Sequence, residues 1–161
     1  MRWRRIGTVL SMPELKARLH ADLTSAMKAR DELTTATLRM ALTAITNEEV
    51  AGKQVRELSD DEVLKVLARE EKKRREAAEA FDAAGRAALA DRERAEGTVL
   101  TQYLPAQLGD AELAELVRAA IAESGAAGPQ QMGAVMKIVQ PQIAGRADGK
   151  RVSDEVRRQL S

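Results

Sequence analysis

The sequence predicts an all-α protein, and three observations carry that expectation. Aromatic residues make up only 2% of the 161 residues. A core must then be built from Leu, Val, Ile, Met and Ala, which suits helices better than a sandwich or barrel. Apolar residues recur at spacings of three and four, as in Leu15, Leu19, Leu23 and Met27. Between those runs stand helix stops, among them Gly52, Gly85, Gly125 and Gly145, and the cap residues Asp31, Ser59 and Asp148.

The elements follow in order. Pro13 suits the first position of a helix, where its missing N–H costs nothing, and Leu15 to Met27 form that helix's apolar stripe. Asp31 breaks and caps. A second helix runs to about Val50 with Leu38, Leu42 and Ile45 inward, and Gly52 stops it. Ser59-Asp60-Asp61-Glu62 matches a capping box. It opens a long helix with Val63, Val66 and Leu67 inward, ended by Gly85. A fourth helix from about Ala87 carries Leu89, Val99, Leu100 and Tyr103, and Pro105 closes it. Residues 12–104 thus read as a four-helix domain.

Pro105–Asp110 reads as a linker. Leu113, Leu116, Val117, Ala120 and Ile121 mark the next helix, stopped by Gly125. Pro129 lies near the start of the following one, whose apolar face is Met132, Val135, Met136, Val139 and Ile143. Pro141 sits inside that pattern and is expected to kink or end it. A last helix from about Gly149 to Gln159 turns Val152, Val156 and Leu160 inward. Residues 105–161 read as a three-helix unit so small that its core alone is marginal.

Net charge is +1, so the whole molecule is no polycation, but the charge is unevenly placed. Residues 132–161 hold six basic and three acidic side chains, whereas 110–131 hold one basic and four acidic. A local basic face is the electrostatic minimum for nucleic-acid contact. Residues 1–11, MRWRRIGTVLS, add three arginines. Their apolar part, Ile6–Leu10, is too short for a signal peptide's core. These residues are expected to be a disordered extension, with Met12 as an alternative start. Cysteine is absent, which excludes disulfides, thiolate metal sites and a cysteine nucleophile, and fits a reducing, cytoplasmic setting. No apolar run approaches the roughly 20 residues of a membrane span.

Few residues nominate chemistry. His20 is the single histidine, expected at the surface and unable alone to anchor a zinc site or a triad. Neither GxxxxGK[ST] nor GxGxxG occurs. No metal, cofactor or catalytic residue is therefore expected. In the charged run Glu70–Glu79, spacings of four pair Glu70 with Arg74, Glu71 with Arg75, Lys72 with Glu76 and Arg75 with Glu79, which reads as a solvated, self-neutralising helix. The alternative is a second basic contact through Lys72, Lys73, Arg74 and Arg75. Phe81 and Tyr103 read as core, and so few aromatics disfavour base stacking on single strands. Recognition of folded RNA by shape and phosphate stays open.

The turn Gly145-Arg146-Ala147-Asp148-Gly149-Lys150 stands out. Gly145 ends one helix and Asp148 caps the next, while Arg146, Lys150 and Arg151 crowd the junction. Positive charge beside exposed helix N–H groups suits a phosphate. Read without that ligand, the same residues make a capped helix–helix turn.

The run MGAVMKIVQPQIAGRADGKRVSDEVRRQL, from Met132, resembles the C-terminal signature of the GatB/YqeY family. Upstream, LRMALTAITNEEV (Leu38–Val50), LSDDEVLKVLAREEKKRREAAEAFDAAGR (Leu58–Arg86) and YLPAQL (Tyr103–Leu108) extend the resemblance to roughly Met12–Leu160, closest to the stand-alone YqeY-like branch. GatB is the subunit of the glutamine-dependent tRNA amidotransferase that handles misacylated tRNA, and its helical tail is associated with the tRNA body. The resemblance therefore implies tRNA or another folded RNA as partner, with Lys137, Arg146, Lys150 and Arg151 as phosphate contacts and Gly145, Asp148 and Gly149 shaping the turn. Many amidotransferase tails carry proline where Gly149 stands and lack Pro141, and these differences align this chain with the YqeY-like branch. A second expectation is a helical adaptor for an amidotransferase subunit or other protein. A third is a carbon–nitrogen ligase activity with glutamine as amido donor, which the family label alone would supply.

Overall fold

The computed structural model describes residues 13–143 and 145–161, and among them there are seven α-helices and no strand. They are α1 Glu14–Lys28, α2 Glu32–Val50, α3 Asp60–Ala83, α4 Ala87–Thr101, α5 Asp110–Ser124, α6 Met132–Ile143 and α7 Gly149–Leu160. A 3₁₀ turn, Pro129–Gln131, leads into α6. The expectations for residues 1–11 and for Met12 fall outside the described residues. The chain forms two compact units, one ending at Tyr103 and the other running Leu104–Ser161.

In the first unit the core is built from Leu19 of α1, Leu38, Ala41 and Ile45 of α2, Val63, Val66 and Leu67 of α3, and Val99, Leu100 and Tyr103 at the end of α4. Its helix starts are made as the cap residues predict. Asp31 accepts the Thr34 N–H at 3.0 Å. Ser59 and Glu62 close a reciprocal capping box, and Arg56 grips Glu62 from outside at 2.6 Å. The Tyr103 hydroxyl donates to Asp22 at 2.5 Å, tying the end of α4 to α1, with the Arg18 guanidinium 4.8 Å from the ring centre.

Several expectations need correction. Gly52 does not stop α2 through a left-handed conformation: the cap is Ala51, at φ −70°, whereas Arg30 adopts φ 57° after α1 and allows the Asp31 N–H to reach back to the Ala26 carbonyl. Met27 is half exposed because Ala26, not Met27, is buried in the last turn of α1. Leu89 is exposed and Phe81 only half-buried. Small residues, Ala78, Ala90 and Gly97, are the buried ones where α3 and α4 pair, so the backbones approach and the larger neighbours are left at the sides.

The charged run on α3 is not simply solvated. Glu70 is buried and is met by Lys73 at 2.9 Å. Arg74 crosses to α4, 3.4 Å from Glu93 and 3.5 Å from Glu96. Spacing along one helix shows the partners on that helix and conceals those on the next.

The second unit wraps α5, α6 and α7 around Leu108, Leu113, Val117, Val135, Val139, Ile143, Val152, Val156 and Leu160. These are the inward positions that the sequence periodicity assigns, with Leu108 added from the segment read as linker. Gly125 ends α5 at φ 68°. Pro141 does not stop α6, which continues to Ile143. Its missing N–H does remove the donor that the Lys137 carbonyl would otherwise have four residues on.

Candidate nucleic-acid interface

The junction of α6 and α7 is built as a stitched turn. Gly145 takes φ 80°, the left-handed region that a side chain disfavours. Room is not the constraint, since an added Cβ would lie 3.9 Å from its nearest neighbour, the Pro105 ring. Arg146 then donates its N–H to the Ile143 carbonyl at 2.8 Å. Asp148 caps α7, accepting the Lys150 N–H at 3.4 Å.

The segment after Leu104 lies along this turn. Leu108 is buried, so its backbone N–H and carbonyl both need partners. The N–H donates to the Arg146 carbonyl at 2.8 Å, and the carbonyl accepts from Arg151 Nη1 at 2.8 Å. Arg151 Nη2 reaches Asp110 at 2.6 Å. The Gln107 amide donates to the Gly145 carbonyl at 3.1 Å, and Arg146 Nε points to the Ala106 carbonyl at 3.4 Å.

The four basic positions nominated by the sequence therefore differ. Lys137 on α6 and Lys150 in the first turn of α7 are exposed. Arg146 is half-buried, with its backbone and guanidinium turned to the 106–108 segment. Arg151 is a clasp between α7 and the start of α5. Lys150 and Arg151 line a common open groove of about 380 Å³ that Asp110 and Leu113 of α5 close on the other side. Lys137 does not line it.

Charge in the groove is mixed. Glu155 accepts from Arg158 and Gln159, at 2.5 and 2.7 Å, and these bonds, Arg158 first, hold its carboxyl down to about 2. Asp154 pairs with Arg157 at 3.1 Å. The basic junction is thus less positive than its sequence suggests, and Lys150 is its most exposed cation. Sequence reasoning missed Gln107, Leu108 and Asp110 because their partners lie roughly forty residues away. The Pro105–Asp110 composition suggests a linker and carries no sign of that pairing.

His20 is exposed on α1, as expected. Among the described residues no group of three or more His, Cys, Asp or Glu could hold a metal ion. No described helix is long and apolar enough to cross a membrane.

Fold and site together define a small all-helical protein with a basic, internally stitched helix junction near residue 148. The chain belongs to the YqeY-like family: the model described as Yqey-like protein matches residues 16–160. The protein is also similar to Uncharacterized protein C22F3.15 of Schizosaccharomyces pombe, with 35% identity over 96 residues, 59% of this chain and 76% of that one.

Proposed function

We propose that this is a non-catalytic RNA-binding accessory protein of the cytoplasm, whose ligand is tRNA or a comparably folded RNA. The observation that carries the reading is Lys150, an exposed ammonium in the first turn of α7, beside Arg146 and at the mouth of a groove also lined by Arg151. Asp148 already accepts the Lys150 N–H at this helix start, so an anion is drawn by the ammonium together with the positive end of the α7 dipole. Residues 132–160 resemble the tRNA-associated tail of GatB, which names the kind of RNA. In this reading Lys137, Arg146, Lys150 and Arg151 touch phosphates, Arg151 while also holding the Leu108 carbonyl, and Gly145, Asp148 and Gly149 shape the turn. Residues 12–104 and 105–161 act as separate domains.

Two features support RNA over the alternatives. Among the described residues the large exposed apolar side chains are few: Met27, Leu89, and Val50 with Val55, which flank one loop closed by the Arg56 N–H on the Glu49 carbonyl. Glu155 and Asp154 in the groove are committed to ion pairs, which suits binding better than amide transfer.

Filter binding of total tRNA at increasing salt tests the reading. Affinity should fall linearly with log[salt], and Lys150→Ala should weaken binding and reduce the slope by about 0.7–0.9, the contribution of one phosphate contact. Absence of tRNA retention at low salt sinks the proposal.

A further inference from the structure

We infer that the Asp110 carboxylate occupies a phosphate position, so that Asp110 and a backbone phosphate of the bound RNA compete for Arg151. This rests on the RNA reading above and specifies how the same groove is regulated.

The two partners of Arg151 differ in burial. Nη1 is fixed on the carbonyl of buried Leu108, which aims the guanidinium, while Nη2 meets Asp110 at 2.6 Å. The two partners of that ion pair are unequal: the Asp110 side chain is 97% exposed and the Arg151 side chain 35%. A pair made with an almost fully solvated carboxylate contributes little, so little opposes its replacement. A phosphate oxygen makes a charge-assisted bond to the same Nη2 and suits guanidinium geometry.

Asp110 keeps a favourable place after displacement. It opens α5, whose N-cap Gly109 supplies no side-chain acceptor, and a carboxylate beside that uncovered helix start is stabilised there. On α7 itself Asp154 and Glu155 pair with Arg157 and Arg158, their neighbours on the same helix. The Asp110–Arg151 pair instead bridges two helices across the groove. Lys150 lines the groove beside it, adding a second cation for the incoming phosphate.

The test is tRNA filter binding by the full chain, with helicity of each variant checked by circular dichroism. Asp110→Asn should tighten binding ~2–5-fold, the range released by removing a weak surface pair. Glu112→Gln makes the same charge change in the same turn of α5 without touching Arg151, and should give less than half that gain. In an Arg151→Lys background, which keeps the charge but not the two-pronged grip, the Asp110→Asn gain should fall to that of Glu112→Gln. Equal gains from Asp110→Asn and Glu112→Gln in the wild-type background, or a full Asp110→Asn gain retained with Arg151→Lys, would overturn the exchange and leave the RNA reading standing. Failure of the wild-type chain and Asp110→Asn alike to retain tRNA at low salt would overturn both.

Discussion

Two arginines hold helix starts in this molecule, and they close different things. Arg56 grips Glu62 six residues away, around the capping box that opens α3. Arg151 grips Leu108 and Asp110 more than forty residues away, in a unit of three short helices. The first clasp fixes a loop that α3 would follow in any case, since Val63, Val66 and Leu67 are buried regardless of it. The second fixes the segment that carries Leu108 into the core of its unit. A clasp matters in proportion to the chain it closes and to how small the core beneath it is.

Four measurements test that difference between the two clasps. The largest effect is expected from Leu113→Ala in α5. Truncating this buried leucine should cost about 2–5 kcal/mol, enough to melt a unit of this size, so amide NMR signals of residues 105–161 should collapse while those of α1–α4 persist. Collapse of both together would show that the units do not fold separately. Next is Arg151→Ala, expected to lower stability by about 1.5 kcal/mol, the low end for a charged hydrogen bond because the side chain is partly in water. Chemical denaturation reads it directly. Ser59→Ala, which removes the α3 cap, should cost about 1 kcal/mol in the same assay. An effect of Ser59→Ala larger than that of Arg151→Ala would reverse the comparison.

The smallest effect is a pH dependence. The Arg56 guanidinium, then the Ser59 N–H, hold the Glu62 carboxyl down from 4.5 to about 2. A carboxylate with a depressed folded pKa stabilises fully above its unfolded value and loses that contribution as it is protonated. The Tm difference between wild type and Glu62→Gln should therefore be constant above about pH 4.5 and shrink as pH falls toward 2. A difference that persists unchanged at pH 2 would assign it to something other than this clasp.

The same contrast shows what was legible in the sequence. The capping box, Asp31, Asp148 and the left-handed Gly85, Gly125 and Gly145 are local devices, and each stands where its residue type predicts. Core positions on α5, α6 and α7 follow from spacing alone. The partners of Arg151 and Arg74 do not, because an arginine's partner is chosen by tertiary packing: one meets a carbonyl and a carboxylate more than forty residues away, the other looked solvated and bridges two helices. Leu108 was hidden by the composition of its neighbours, which resembles a linker although the segment is stitched in place.

That stitch also sets a clock. A chain made from its N-terminus adds Leu108 before Arg151, 43 positions earlier. At ordinary rates of synthesis the interval is roughly 2–9 s. Throughout it, α5 has its apolar side, Leu113, Val117 and Ala120, without the covering that α6 and α7 later provide. The second unit thus cannot close over α5 until α7 has been made.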